Sequence, residues 1–283
     1  MKIAVASGKG GTGKSTVAAN LALALSRDHP VTLADCDVEE PNQHLFFPGD
    51  PQTEQVYSSV PEIDTEVCNY CGKCGEFCQY GALAVLKDRV LFFPELCHSC
   101  GGCMHICPLY AIDEKDRSIG TLSVSKPHHN LRLVWGTLNA GEVLSGKVIG
   151  AVKEETDGDS CVILDSAPGT SCPVVAALDG CDVCILVTES TPFGLHDLEL
   201  AVSLAGILNI PSGVVINRSD GSDEQVRSFC REKEIPVLMT IPFDRGIAAK
   251  QGRGILFSAG DPEWQEKFRT LGLECMKLAE WSL

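Results

Sequence analysis

Apolar positions recur along this chain in short unbroken runs, most of them followed by a stretch with helical period. Ile3-Ala4-Val5-Ala6 reads as a strand buried on both faces, with residues 16–26 as the helix behind it. Residues 31–34 form the next strand, ending in Asp35-Cys36-Asp37. Residues 131–135, 162–164, 184–187 and 214–216 read as further strands, and an apolar run covers 237–241. Helical period covers 143–155, 194–208, 223–233 and 263–278. Such alternation predicts an α/β fold, a mostly parallel sheet covered by helices on both faces.

Between residues 48 and 61 the rhythm gives way to Pro, Gln, Thr and Ser, which reads as a boundary. A segment of another kind follows, and the α/β pattern resumes after Asp116. The organisation read from the sequence is therefore residues 1–59, an insert at 60–114, and residues 115–283 completing the first domain.

The first strand and helix are joined by Gly8-Lys9-Gly10-Gly11-Thr12-Gly13-Lys14-Ser15-Thr16. All three fixed positions of G-x-x-x-x-G-K-[ST] occur there in the order strand, loop, helix, the context of a phosphate-binding loop. Its glycines let backbone N–H groups turn toward β- and γ-phosphates, and the helix dipole adds positive potential. Lys14 supplies a point charge, and the Ser15 hydroxyl is placed to ligate Mg2+. Asp165, closing the strand at 162–164, is the candidate to hold that magnesium through water. Gly169 frees the loop behind it, so 165–169 is a candidate switch sensing the γ-phosphate. Carboxyl ends of strands line the ligand crevice of open α/β sheets, so Asp35 and Asp37 are expected to face the loop. Asp37 is the candidate for orienting the attacking water, since phosphoryl transfer needs position and charge more than a strong base. Lys9 is suited to reach a phosphate held by a second subunit, supplying in trans the charge of an arginine finger. Asn217 and Pro242, each near the end of an apolar run, are candidate base contacts.

The insert carries the one internal repeat found. Cys68, Cys71, Cys74 and Cys78 are spaced x2, x2, x3, and Cys97, Cys100, Cys103 and Cys107 repeat that spacing before Pro108. Zinc sites usually use two C-x2-C pairs separated by a longer loop, whereas doubled runs with a trailing Cys-Pro are the arrangement of a bacterial two-cluster ferredoxin. In that arrangement the fourth cysteine of each run serves the other cluster. Cys68, Cys71, Cys74 and Cys107 would then hold one [4Fe-4S] cluster, and Cys97, Cys100, Cys103 and Cys78 the second. Residues 83–93 suit a short hairpin linking the halves. Cys161, Cys181, Cys184, Cys230 and Cys275 read as core, Cys172 lies on the candidate switch, and His128 and His129 read as exposed loop residues.

Charge narrows the partners. A net charge of -15 over 283 residues repels nucleic acid and anionic lipid. No N-terminal signal or bilayer-length apolar run is apparent, and fifteen cysteines spaced as metal ligands fit a reducing compartment, so the expected location is the cytoplasm. Trp264, Phe268, Leu271, Met276, Leu278 and Trp281 are interleaved with charges of both signs, which favours packing on the domain over a membrane helix.

Lys9 to Thr16 resemble the signature loop of the deviant P-loop ATPases that include MinD, ParA and the nitrogenase iron protein, with Lys9 as the signature lysine. Asp37 with Asn42, Asp165 to Gly169, and Asn217 fall at that group's switch I, switch II and adenine-contact motifs. With its cysteine repeat the chain is similar to the branch carrying an inserted two-cluster ferredoxin domain. The resemblance implies a P-loop NTPase fold, ATP rather than GTP, and a nucleotide-sandwich dimer formed with a second copy or a paralogue. It implies ATP hydrolysis coupled to electron transfer or to metallocentre assembly with a partner protein. A MinD-like positioning ATPase with structural or sensory clusters is the alternative. The basic membrane tail of MinD has no counterpart, nor has the C-x-x-C pair of Mrp-type carriers in the C-terminal third.

Overall fold

The structure is a computed structural model in which residues 1–280 are described. Its elements in chain order are β1 (Lys2–Ala6), α1 (Lys14–Leu25), β2 (Val31–Asp35), β3 (Gln52–Ile63), α2 (Lys73–Phe77), β4 (Leu83–Val85), β5 (Val90–Phe92), α3 (Gly102–Ile106), β6 (Ile112–His128), β7 (Leu131–Leu138), α4 (Ser145–Glu155), β8 (Val162–Asp165), α5 (Cys172–Leu178), β9 (Val183–Glu189), α6 (Pro192–Ile207), β10 (Ser212–Ser219), α7 (Glu224–Glu232), β11 (Val237–Pro242), α8 (Arg245–Gln251) and α9 (Pro262–Glu280). Nine strands form one sheet in the order β11-β10-β9-β1-β8-β2-β7-β6-β3. The seven from β11 to β7 pair in parallel, while β6 and β3 add on antiparallel.

Alternation along each buried strand divides the core into two layers. In β1, Ile3 and Val5 point to one face, where Val17, Leu21 and Leu25 of α1 and Phe268, Leu271 and Cys275 of α9 pack. Ala4 and Ala6 point to the other, against Val148, Ile149 and Val152 of α4, Val174 and Leu178 of α5, and Leu198 of α6. A two-faced parallel sheet needs such continuous apolar runs, which is why β1, β2 and β8 carry so little polarity. α9 packs on the sheet through Trp264, Phe268, Leu271 and Leu278, Met276 is half-buried, and Trp281 lies outside the described residues.

Several expectations shift. The stretch 48–61, read as a boundary, forms most of β3. Its polar content is that of an antiparallel strand with one wet face: Val56, Ser58 and Val60 turn inward to varying degrees while Glu54, Gln55 and Tyr57 stay exposed. Strand β3 runs through position 59, and β6 runs through position 114. β7 continues three residues past 135, and α4 starts two residues after 143. Cys161 is half-buried, at the mouth of β8 rather than inside the core.

Register places the insert. β7 runs with β2, pairing Trp135 with Asp35 at the carboxyl end, and β6 runs back along β7 with Gly120 opposite Leu138 as the outermost pair. Residues 112–118 of β6 therefore pair only with β3 and carry the chain beyond the carboxyl edge of the sheet. At about 3.3 Å per residue that extension is about 23 Å long. Residues 64–111 hang from its tip, on the edge where the loops after β1, β2 and β8 gather.

Candidate functional site

The loop after β1 is set by two backbone conditions. Gly11 and Gly13 lie at φ 81 and 94, a region that disfavours side chains. A Cβ at Gly13 would also run into the Asn217 amide nitrogen. The Val17 N–H donates to the Gly13 carbonyl at 2.9 Å, so the N–H groups of Lys14, Ser15 and Thr16 have no acceptor within α1. Lys14 is 6% exposed, and the buried Thr12 hydroxyl has no hydrogen-bond partner. A closed loop with spare buried donors at a helix start suits a polyphosphate.

Two carboxyls, Asp37 and Asp165, stand close to Lys14 of this loop, with Asp35 behind them. Asp165 is fully buried at the end of β8, beside Asp35 in the register of β2. Asp35 does not turn to the loop mouth as expected. It accepts backbone N–H bonds from Asp37 at 3.1 Å, Asn42 at 2.8 Å and Gln43 at 3.0 Å, folding the segment after β2 around itself. Burial, then the Asp165 charge, push its carboxyl up to about 8 against those N–H bonds. Burial also raises Asp165, opposed by Lys14 and by hydrogen bonds from Ser15 and Gln43. Asp37, partly exposed, is pushed up to about 6 by burial, with Lys14 acting the other way. One Asp165 oxygen is buried without a partner. The Lys14 ammonium thus acts on Asp37 and Asp165 together, and Asp165 keeps one oxygen unspent beside it.

The remaining nucleotide candidates are held by the protein itself. The Gly169 N–H donates to the Ser7 carbonyl at 2.9 Å, tethering the 165–169 loop to the end of β1. The Asn217 amide donates to the Thr12 carbonyl at 2.7 Å, bracing the loop from β10. Pro242 is exposed at the end of β11. Lys9 is about one-third exposed, with its ammonium 3.9 Å from Glu189, which Arg218 also holds at 2.6 Å. Gly8 and Gly10 flank it: a Cβ at Gly8 would strike the Asp197 backbone of α6, whereas Gly10 is exposed. Thr16 accepts a bond from the Gln251 amide.

The cysteines gather into two groups. Cys68, Cys71, Cys74 and Cys107 line one cavity, walled by Val85, Val90 and Ile112. Cys78, Cys97, Cys100 and Cys103 line another, against Phe77, Tyr80 and His98, whose rings stack for Tyr80 and His98 at 3.7 Å. Each group thus takes its fourth cysteine from the other run. The repeat is also conformational at a spacing of 29 residues: Tyr70 and Ser99, Gly72 and Gly101, and Gly81 and Tyr110 all have positive φ. Burial raises Cys74, with Cys68 and Cys107 adding to the shift, and pushes Cys103 up to about 11, with Cys97 and Cys100 adding. Both shifts favour the protonated thiol at these positions. Among the described residues no three His, Cys, Asp or Glu side chains form a group that could hold a metal ion.

A family model for the CobQ/CobB/MinD/ParA nucleotide binding domain matches residues 3–257. The chain belongs to that family. An uncharacterized protein of Methanocaldococcus jannaschii is 36% identical over 268 residues, covering 91% of each chain. An iron-sulfur cluster carrier protein of Aquifex aeolicus is 27% identical over 296 residues, covering 98% of this chain and 68% of that one. Among solved structures, the septum site-determining protein MinD of Pyrococcus horikoshii, complexed with Mg-ADP, aligns with a TM-score of 0.60 at 20% identity, covering 100% of this chain and 98% of that one. That likeness establishes a MinD-type fold for this member of the family. No helix among the described residues is long and apolar enough to cross a membrane.

Gln43 escaped the sequence. It is fully buried, and its amide donates to Asp165 at 2.7 Å and to the Ser15 carbonyl at 3.0 Å, joining three loops. Its neighbours Asn42 and His44 are polar, so no periodicity marks it as interior. The only local hint is its place in the polar stretch that follows the Asp35-Cys36-Asp37 strand end.

Proposed function

We propose that this chain hydrolyses Mg-ATP and that its nucleotide state governs an insert carrying two [4Fe-4S] clusters, for electron delivery or metallocentre assembly on a partner protein. The observation that carries this reading is the placement, on one sheet edge, of a phosphate loop and two cavities each lined by four cysteines. Gly8, Gly10, Gly11, Thr12 and Gly13 shape the cradle, and Lys14 with the first N–H groups of α1 binds the phosphates. The Ser15 hydroxyl, and Asp165 through water, hold Mg2+, which neutralises charge building on the phosphate oxygens. Asp37 orients the attacking water. Asn217 and Pro242 border the base. Asp165 to Gly169 respond to the γ-phosphate by releasing or keeping the bond to Ser7.

The clusters would be held by Cys68, Cys71, Cys74 and Cys107, and by Cys97, Cys100, Cys103 and Cys78. When bound they supply single-electron transfer. The iron-sulfur carrier relative and the Mg-ADP complex of the MinD relative point the same way. Lys9, loosely held by Glu189, is free to swing toward the nucleotide of a second copy or paralogue, which makes the active form a dimer. The setting is cytoplasmic, with neither nucleic acid nor membrane as a partner.

The test is anaerobic purification with iron and sulfide quantitation, then redox titration with Mg-ATP and with Mg-ADP. Eight irons per chain and a nucleotide-dependent potential are expected on the two-cluster arrangement. Zinc in place of iron, or identical titrations in both nucleotides, would overturn it.

A further inference from the structure

Helix α4 packs on the segment after β2 and on α5, the helix behind the 165–169 loop, and also reaches the cysteine insert. Val38, directly after Asp37, is buried with Val148 and Val152 of α4, all three closing over Gly136 so tightly that a Cβ there would meet each of them. The Leu138 N–H binds the Val38 carbonyl at 2.8 Å. On its other side α4 packs on α5, which begins just beyond the 165–169 loop. The Lys153 ammonium clamps the end of α5, donating to the carbonyls of Ala176 at 2.7 Å and Asp179 at 2.6 Å.

At the opposite end of α4, the Lys147 ammonium donates to the Ser58 hydroxyl at 2.7 Å, and Ser58 donates to the Ser99 hydroxyl at 2.6 Å. Ser58 lies in β3 and is 3% exposed, so this pair of bonds is shielded. Ser99 stands between Cys97 and Cys100 with φ 52, and its N–H donates to the Cys97 sulfur at 3.4 Å. The Lys147 charge polarises the Ser58 hydroxyl and strengthens its bond to Ser99. Tyr70 occupies the matching place in the first run, and among the described residues no side-chain hydrogen bond joins 68–78 to α4.

We propose that α4, acting through Lys147, Ser58 and Ser99, transmits the state of the nucleotide loops to the second cysteine set and not to the first. The inference rests on the nucleotide-governed insert proposed above and names the residues that do the governing. Lys147 and Ser58 are positioning residues: they touch neither nucleotide nor cysteine, but fix Ser99 and thereby the Cys97 to Cys100 turn. Close packing makes a shift of α4 a displacement of its ends rather than a local dent, which is what such a relay requires.

The experiment is hydrogen exchange on the anaerobically purified full chain, comparing a non-hydrolysable Mg-ATP analogue with Mg-ADP at residues 94–104 and at 65–75. In the unmodified protein the nucleotide-dependent difference is expected to be about fivefold larger at 94–104. Lys147→Met keeps the stem and removes the charge, and Ser58→Ala removes the bridge. Each should erase that excess while leaving the Mg-ADP dissociation constant within about twofold, and Lys147→Arg should retain it. Should Lys147→Met fail to fold, Ser58→Ala carries the test alone. If both substitutions keep the full difference at 94–104, the relay is wrong while nucleotide control stands. If the unmodified protein binds both nucleotides and shows no difference anywhere in the insert, the governing reading falls and the relay with it.

Discussion

Asp35 and Asp165 lie side by side at the ends of β2 and β8, both buried, and burial followed by the Asp165 charge raises Asp35. An ordinary carboxyl near 3.8 is held in Asp35 at about 8, so the folded chain retains a proton that the unfolded chain releases. The stabilisation is complete below pH 4 and is lost as pH rises through 8, at up to about 1.4 kcal/mol per pH unit per proton. Asp37, at about 6, adds to the lower half of that window. Asp35→Asn is expected to flatten the pH dependence of nucleotide-free stability between 6 and 8, as read by denaturant unfolding at several pH values. An unaltered slope would mean that another group carries the proton. Lys14 is the cation lowering both Asp37 and Asp165, and in the proposed function it also binds the phosphates. Lys14→Ala should weaken Mg-ATP binding by about 2–4 kcal/mol, about 30- to 1000-fold, measured by calorimetric titration.

Among the elements, α9 closes the face of the sheet that supports α1. Phe268 is fully buried against Phe257 and Trp264, and Gly272 brings α9 so close to α1 that a Cβ would press on Leu25. Phe268→Ala should cost about 3–5 kcal/mol in urea unfolding, because α1 cannot move inward to fill the void while β1 and the phosphate loop hold its start. A loss under 1 kcal/mol would mean that α9 collapses onto the gap. The helical period of 263–278 was legible because the apolar stripe faces one way; the long β3 and β6 hairpin was not, because its outer residues are polar on both strands. α6 starts two residues before the 194 read from its period, because the Thr191 hydroxyl caps it by accepting the Gly194 N–H at 3.0 Å and Pro192 opens its first turn.

For the whole molecule, the phosphate loop and the insert share an edge because β6 overruns β7, so a movement at the nucleotide has a short route to the cysteines. In the proposed function a second copy closes on this edge, and Lys9 is the residue whose proposed role depends on that closure. Lys9→Ala should leave Mg-ATP affinity within about threefold and lower concentration-dependent turnover by at least about a hundredfold. Phosphate release followed over a range of protein concentrations decides it, and turnover equal to the unmodified protein would remove Lys9 from the reaction. A net charge of -15 opposes association of two copies, so the dimer should tighten with added salt.

What the sequence determined by itself is everything with a local signature. The glycines, Lys14 and Ser15 between a strand and a helix form a pattern whose neighbours lie only a few residues away, and the doubled spacing of eight cysteines is legible as a repeat, although each set takes its fourth member from the other run. The tertiary structure decided what depends on contacts between distant residues. Gln43 reaches Asp165 across 122 positions, and Ser58 reaches Ser99 across 41. Asp35 spends its oxygens inward on the segment that follows it rather than on the loop mouth. Polar side chains of this kind carry no periodicity, and their placement follows from which strands the sheet sets side by side.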